Sequence, residues 1–305
     1  MADLRVNFAG VEFENPIVTA SGTYGFGREY GEYLDLNDIG GICVKGLTLA
    51  PRQGNKNPRI VETAAGMLNS VGLQNPGVDA FIETELPWLR QFRTKVIANV
   101  CGNTVEDYVQ MTEKLVAAGV DILEINISCP NVKEGGLAFG VSCDGAESVT
   151  KAVKRVSGSI PVMVKLSPNV TDIVSIAKTA RDAGADALSL INTLLGMRIN
   201  YETMRPMLAN NMGGLSGPAV LPVAIRMVYQ VAANVDLPIL GMGGVSTGMD
   251  VAEMMIAGAD LVALGTACFV DPLAPVTAKY ELDTYLDRKK ISRVTDLTGR
   301  VELNK

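Results

Sequence analysis

Short apolar runs rich in β-branched residues alternate along this chain with longer amphipathic stretches. Short runs of this kind are typical of strands buried on both faces, and longer amphipathic stretches are typical of helices. The pattern predicts eight strands, at residues 16–19, 41–44, 95–99, 122–127, 162–165, 187–191, 238–242 and 261–264. Because eight parallel strands can close on themselves, we expect an α/β protein with the (β/α)8 fold, the TIM barrel.

Amphipathic stretches between these strands predict helices at residues 105–118, 173–183, 219–233 and 249–257. Three of them are followed by a glycine, namely Gly119, Gly184 and Gly258. Glycine readily takes the left-handed conformation that ends a helix, so each is expected to turn the chain into the next strand. The repeated order of helix, glycine and strand favours a wound parallel sheet.

Two connections are longer than a usual βα loop, at residues 46–78 and 193–218. Both follow predicted strands, so both should lie over the C-terminal face, where the active sites of barrels are built. We expect residues 1–305 to form one barrel domain, with a helix and tail from residue 282 onwards.

The composition is that of a globular enzyme, with 48% hydrophobic and 20% charged residues. A net charge of −6 with scattered lysine and arginine residues argues against nucleic acid as a partner. The first residues do not resemble a signal peptide, and no apolar run is long enough to span a bilayer. We therefore expect a cytoplasmic protein that does not bind membranes.

The five cysteines form no Cys-x-x-Cys pair, and the chain has no histidine. The sequence therefore predicts neither a disulfide framework nor an iron-sulfur cluster, and no metal site. Serine–histidine triads, cysteine–histidine dyads and histidine-ligated zinc are excluded. Acid–base chemistry must use Cys, Lys, Asp, Glu or Tyr side chains.

Glycines follow the last two predicted strands, at Gly243 and Gly244 and at Gly265 before Thr266. Backbone N–H groups of glycine can approach an anion closely, and the corresponding loops of barrels commonly bind a phosphate. The glycine-rich segment 213–218 could close over the same anion. Tight turns without a ligand are the alternative interpretation.

Lys45 and Lys165 stand at the ends of two strands, where a lysine can pair with an anionic ligand or, if desolvated, form a Schiff base. Asparagines are placed in the same way, at strand ends or in the long second loop: Asn69, Asn99, Asn126 and Asn192. Amides suit a planar ring with both N–H and C=O groups. Solvated lysines and turn asparagines are the alternatives at each single position.

Cys129 lies in the polar segment 126–131 beyond the fourth strand, which is unlike a buried structural cysteine. Cys43, Cys101 and Cys268 are predicted to be small buried apolar residues. Cys143, expected in a loop, is the rival, although nothing near it in sequence suggests a ligand site. Cys129 is therefore the candidate for the reactive cysteine.

Three motifs resemble those of dihydroorotate dehydrogenases, and the resemblance extends over essentially the whole chain. They are Asn-Ser-Val-Gly-Leu-Gln-Asn-Pro-Gly at 69–77, Asn-Ile-Ser-Cys-Pro-Asn-Val-Lys-Glu-Gly-Gly-Leu-Ala-Phe-Gly at 126–140 and Lys-Leu-Ser-Pro-Asn-Val-Thr-Asp-Ile at 165–173. Cysteine at position 129 resembles the soluble class 1 enzymes, since class 2 enzymes have serine and an N-terminal extension. The continuation at 132–140 resembles class 1B, the NAD-linked branch, more than the fumarate-linked class 1A.

The resemblance implies oxidation of dihydroorotate to orotate in de novo pyrimidine (UMP) biosynthesis. Cys129 would remove the C5 proton while hydride leaves C6 for N5 of FMN. The implied substrate-binding residues are Lys45, Asn69, Ser70, Val71, Gly72, Leu73, Asn126, Asn192 and Thr193. The implied FMN-binding residues are Ala20, Ser21, Lys45, Gly46, Asn99, Asn126, Lys165, Ile191, Gly217, Gly243, Gly244, Gly265 and Thr266.

Resemblance to class 1B also implies a partner, an electron-transfer subunit that carries FAD and an iron-sulfur cluster and reduces NAD. The assembly implied is a heterotetramer built around a homodimer of this chain. The chain has no cluster motif and no Gly-x-Gly-x-x-Gly dinucleotide fingerprint, which is consistent with a partner supplying both functions.

Other functions remain open on sequence grounds. The chain could be a class 1A-like enzyme, a dihydropyrimidine dehydrogenase subunit, or an aldolase barrel with Lys165 as its Schiff-base lysine. A barrel that binds a flavin or a sugar phosphate without chemistry is a non-enzymatic alternative.

Overall fold

Eight parallel strands form a closed barrel in the computed structural model, which describes residues 2–127 and 139–304. Each strand pairs with the next along the chain, and the eighth pairs with the first. This confirms the predicted TIM barrel. The barrel strands, numbered first to eighth, are Ile17–Thr19, Gly41–Cys43, Lys95–Val100, Ile122–Asn126, Val162–Lys165, Ala187–Leu190, Ile239–Met242 and Leu261–Leu264.

Helices surround the barrel. The longer ones are Val105–Ala118, Cys143–Val156, Ile173–Asp182, Leu221–Ala232, Gly248–Ala257 and Ala274–Lys289. Shorter α-helical segments occur at Val78–Ala80, Leu86–Leu89 and Ala267–Val270. The four predicted helices are confirmed, with ends that differ by at most two residues.

Two sequence expectations about helices differ from the structure. Cys143 is not in a loop, because it is the first residue of Cys143–Val156. The side chain of Ser142 accepts a hydrogen bond from the N–H of Gly145 at 3.2 Å, and serine is a favoured residue at this capping position. The last long helix begins at Ala274, earlier than the predicted 282.

The N-terminal end of the barrel is closed by a repeated contact. Gly119, Gly184 and Gly258 all have positive φ angles, and each is followed two residues later by an aspartate. These aspartates accept hydrogen bonds from an N–H in the first two residues of the preceding barrel strand: Asp121 from Val96 at 2.8 Å, Asp186 from Val162 at 2.7 Å and Asp260 from Ile239 at 2.9 Å. The contacts tie neighbouring strands together away from the C-terminal face.

The two long connections pair with each other. Together they form a four-stranded antiparallel sheet in the order Leu194–Gly196, Gly213–Ser216, Gly66–Asn69 and Ile60–Thr63. Two smaller pairs are Ile199–Asn200 with Arg205–Pro206, and Val6–Phe8 with Val11–Phe13. The sheet holds both connections in one unit at the end of the barrel from which they leave.

Buried apolar side chains from the barrel strands and the surrounding helices form a connected core. Within residues 2–127 and 139–304, none of the helices combines the length and hydropathy needed to cross a bilayer.

Asp260 provides a stability test of the N-terminal contacts. Burial raises the pKa of its carboxyl, although the N–H of Ile239 acts in the opposite direction. A raised pKa means that stability is lost as pH rises through the carboxyl range. Asn at this position can accept the same N–H without a charge. We therefore expect Asp260→Asn to be as stable as the wild type or more stable at neutral pH, by urea unfolding.

Asp260→Ala is the matched comparison, because it leaves the Ile239 N–H without its acceptor. We expect it to lose about 1–3 kcal/mol of unfolding free energy. Equal losses in both variants would contradict the role given to this hydrogen bond.

Candidate active site

A cavity opens at the C-terminal ends of the barrel strands, below the antiparallel sheet of the long connections. Its lining contains most of the residues singled out in the sequence: Ala20, Ser21, Lys45, Gly46, Asn69, Val71, Gly72, Leu73, Asn99, Asn126, Lys165, Ile191, Asn192, Thr193, Gly217, Gly243, Gly244, Gly265 and Thr266. Folding therefore brings them together from nearly every strand end.

Two singled-out residues are not in this lining. Ser70 is fully buried beside it, and its hydroxyl has no hydrogen-bond partner among the described residues. Cys129 falls within residues 128–138, outside the described part of the chain. Asn126, three positions earlier in the sequence, lines the cavity.

Sequence reasoning missed a further group of lining residues, mostly small or apolar. They are Gly22, Thr23, Ile60, Met67, Val220, Met242, Ala263 and Phe269, and the lining also contains Leu215 and Ser216 from the segment 213–218 that the sequence indicated. The long connections supply Ile60, Met67, Leu215 and Ser216, which reach the cavity only because those connections pair into a sheet. The cavity is thus apolar on this side and polar at the strand ends.

A carboxylate that the sequence reasoning did not single out lies inside the barrel next to the cavity. Glu124 is fully buried in the fourth strand. It accepts hydrogen bonds from the hydroxyl of Ser189 at 2.7 Å, the thiol of Cys43 at 3.1 Å and the amide of Asn99. Glutamate is almost never fully buried unless it is paired, so a glutamate between apolar residues of a predicted strand could have been identified from the sequence as a candidate buried charge.

Lys165 is the cationic neighbour of Glu124. Its Nζ is 3.7 Å from Glu124 Oε2 and donates a hydrogen bond to the hydroxyl of Ser21 at 3.2 Å. Its side chain is only 5% exposed and contributes to the cavity lining. The ammonium group of Lys165 therefore lies between the buried carboxylate of Glu124 and the cavity.

Glu124 is held in its charged form. Burial by itself would raise the pKa of its carboxyl, but Lys165 and the hydrogen bonds from Cys43, Ser189 and Asn99 hold that pKa below its usual value. Burial and the charge of Glu124 raise the pKa of the Cys43 thiol well above its usual value. Cys43 therefore stays protonated and donates to the carboxylate, a role beyond that of the small apolar residue predicted.

Asparagine side chains form the polar wall of the cavity. Asn126 donates to the side-chain oxygen of Asn99 at 3.4 Å, and the thiol of Cys101 donates to the same oxygen at 3.1 Å. The hydroxyl of Tyr108 fixes the backbone of Asn126 through its carbonyl oxygen at 2.8 Å. These contacts fix the side chain of Asn99 and the backbone of Asn126 in the cavity wall.

Amide contacts also hold the loop after the sixth strand. Asn169 donates to the carbonyl oxygen of Thr193 at 3.0 Å and accepts from the N–H of Leu195 at 2.9 Å. Asn69 donates to the carbonyl oxygen of Gly214 at 3.4 Å. The two long connections are therefore fixed to the barrel rim and to each other.

The glycine corner lies between the seventh strand and the helix Leu221–Ala232. Gly243 and Gly244 have φ angles of +124° and +80°, and a Cβ on Gly244 would lie 2.6 Å from the N atom of Leu221. That helix begins without a side-chain cap, and Thr266 donates to the hydroxyl of Ser216 at 2.8 Å nearby. A helix start without a side-chain cap, next to hydroxyl groups and to glycines that have no room for a side chain, suits a phosphate.

Comparison with known proteins agrees with this architecture. A sequence model of the dihydroorotate dehydrogenase family matches residues 3–286. The chain therefore belongs to the dihydroorotate dehydrogenase family. This confirms the resemblance seen in its motifs, and with it the prediction that the chain is an oxidoreductase.

Similar members of this family match nearly the full length of the chain. One from Alkaliphilus metalliredigens is 57% identical over 97% of this chain and 98% of its own length. Others from Alkaliphilus oremlandii and Geobacillus kaustophilus are each 54% identical over 98% of this chain, covering 99% and 96% of their own lengths. All three are named dihydroorotate dehydrogenase B (NAD(+)), catalytic subunit, which confirms the resemblance to the NAD-linked branch.

Two glycine variants test whether Gly244 forms part of an anion site. Gly244→Ala places a methyl group against the backbone of Leu221, whereas Gly119 has a similar φ of +76° but nothing within 4 Å of an added Cβ. Gly119→Ala should lose about 1–2 kcal/mol of unfolding free energy from backbone strain alone. We expect Gly244→Ala to lose more.

Inorganic phosphate should raise the melting temperature of the wild type and of Gly119→Ala more than that of Gly244→Ala, because ligand binding stabilises the folded state. Equal losses together with equal protection by phosphate would count against the corner as an anion site.

Proposed function

We propose that this chain oxidises dihydroorotate to orotate with bound FMN, as the catalytic part of an NAD-linked enzyme of pyrimidine biosynthesis. The observation that supports this most directly is the convergence of the lysines, asparagines and glycines in one cavity at the strand ends. The names of the similar proteins support the same substrate and acceptor.

The residues present fit FMN. Its phosphate would be held by Gly217, Gly243, Gly244, Gly265 and Thr266. A Cβ on Gly217, Gly243 or Gly244 would lie 2.5 to 2.9 Å from a neighbouring atom, so these three positions have no room for a side chain. The rest of FMN would be held by Ala20, Ser21, Lys45, Gly46, Asn99, Asn126, Lys165 and Ile191. FMN, when bound, supplies the hydride acceptor for the reaction.

The chain's own residues bind the substrate and remove its proton. Asn69, Asn126 and Asn192 can donate to and accept from the pyrimidine ring, since each amide offers both kinds of group. The substrate site further comprises Lys45, Ser70, Val71, Gly72, Leu73 and Thr193. Lys45 provides a positive charge for the substrate carboxylate, and the Nζ of Lys165 lies 3.7 Å from Glu124.

Cys129 is proposed as the base that takes the proton from C5 as hydride leaves C6. The chain has no histidine, so a thiol is among the few groups that could serve. Its position in the sequence, three residues after a lining residue of the cavity, supports this role.

The geometry of Lys165 disfavours the aldolase alternative. A Schiff base requires a neutral, nucleophilic amine, whereas Lys165 lies beside a charged carboxylate and donates to Ser21.

Cys129→Ala is expected to keep FMN but to slow its reduction by dihydroorotate about 10²- to 10⁴-fold, the usual contribution of a general base. Stopped-flow bleaching of the flavin measures this rate. Cys143→Ala, which removes an exposed thiol at a helix start, is the matched control and should react like the wild type.

The same measurement gives a pH dependence. A thiol with an ordinary pKa near 8.5 is mostly protonated at neutral pH, so the rate of flavin reduction should rise toward alkaline pH. A flat profile, or full activity of Cys129→Ala, would rule out this cysteine as the base.

We also propose an electron-transfer partner subunit that carries FAD and an iron-sulfur cluster, in a heterotetramer around a homodimer of this chain. The words "catalytic subunit" in the names of the relatives support such a partner. Reduction of NAD by dihydroorotate should require co-expression with that subunit. NAD reduction by this chain alone would contradict the proposal.

A further inference from the structure

We infer that Glu124 is a positioning residue that balances the charge of Lys165 beneath the cavity and thereby limits how strongly the site favours reduced flavin over oxidised flavin. The inference rests on the proposed binding of FMN. It concerns a residue that would act through Lys165 and Asn99 rather than by touching the substrate.

The placement of Glu124 comes from the register of the barrel. Asn99 is its cross-strand neighbour on the third strand, and Lys165 is aligned with Asn126 and with Ser189. Glu124 and Asn126 are two residues apart in one strand, so their side chains point to the same face. Glu124 therefore lies one layer below the cavity wall.

Charge is rare in the interior of this protein. Of the buried polar and charged residues within 2–127 and 139–304, Glu124 and Lys165 are the two that carry charged side chains. They lie on adjacent strands, the fourth and the fifth. Their charges, together with that of Lys45 in the cavity lining, therefore set the electrostatic potential near the cavity floor, where screening by water is weakest.

The distances favour a positioning role over a simple structural ion pair. Lys165 Nζ stands 3.7 Å from the carboxylate, too far for a strong hydrogen bond, and donates to Ser21 at 3.2 Å, a lining residue of the cavity. The close donors to Glu124 are neutral groups on Ser189, Cys43 and Asn99. Lys165 thus keeps donor capacity toward the cavity while its charge is partly balanced.

The sign of the effect follows from this arrangement. Reduction adds negative charge to a flavin, so a nearby carboxylate disfavours the reduced form and a nearby ammonium group favours it. Glu124→Gln removes the negative charge while an amide oxygen can still accept hydrogen bonds. The midpoint potential of bound FMN should therefore become more positive.

The test uses the FMN-loaded chain and measures the midpoint potential near neutral pH by equilibration with a reference dye. We expect Glu124→Gln to bind reduced FMN, relative to oxidised FMN, about tenfold better than the wild type does. For a two-electron couple this is a shift of about 30 mV. Glu124→Asp keeps the negative charge, so its midpoint potential should be closer to that of the wild type than the potential of Glu124→Gln is.

Asp260→Asn is the matched control. It also removes a half-buried carboxylate, but at the opposite end of the barrel, where the group accepts from Ile239. Its midpoint potential should equal that of the wild type.

Ser189→Ala should shift the midpoint potential in the opposite direction. It is the variant to measure if Glu124→Gln does not fold. It removes a close donor to the carboxylate, so the negative charge is less compensated and the potential should become more negative. A wild-type potential in the FMN-loaded Glu124→Gln protein, or in Ser189→Ala if that is the variant available, would overturn the inference. Failure of the wild-type chain to bind FMN would instead overturn the proposed function.

Discussion

A carboxylate buried inside a closed barrel needs hydrogen-bond donors or cations on the neighbouring strands. Glu124 has such partners on the strands on both sides of it. Cys43, Asn99, Lys165 and Ser189 belong to the second, third, fifth and sixth strands, so one group on the fourth strand links five consecutive strands. An unmatched buried charge would cost several kcal/mol. A register shift of one residue would turn Glu124 out of the ring.

The two ends of the barrel carry different kinds of polar contact, because one end stabilises the fold and the other forms the ligand cavity. At the N-terminal end, Asp121, Asp186 and Asp260 accept backbone N–H groups of neighbouring strands, and these contacts serve stability. At the C-terminal end, polar side chains and glycines line a cavity that can take a ligand. This division is general among barrels, in which ligands bind at the C-terminal face.

The cavity depends on the pairing of the long connections as much as on the strand ends. Gly213–Ser216 lies between Leu194–Gly196 and Gly66–Asn69, which fixes both connections over the opening. Close packing there leaves no room for side chains at some positions. A Cβ on Gly214 would come within 2.0 Å of the hydroxyl oxygen of Thr193. The glycines of this segment are thus required by packing within the sheet as well as suited to an anion.

Local patterns in the sequence were sufficient for the barrel strands, four of the long helices and the glycines that end three of them, because periodicity and φ preference act over a few residues. They also indicated which lysines, asparagines and glycines stand at strand ends. Only the tertiary structure determined which distant residues contact each other. The partners of Glu124 are 25 to 81 residues away along the chain, and the sheet over the cavity joins segments 145 residues apart, from Asn69 to Gly214. Such contacts form only when closure of the ring brings distant strand ends to one face.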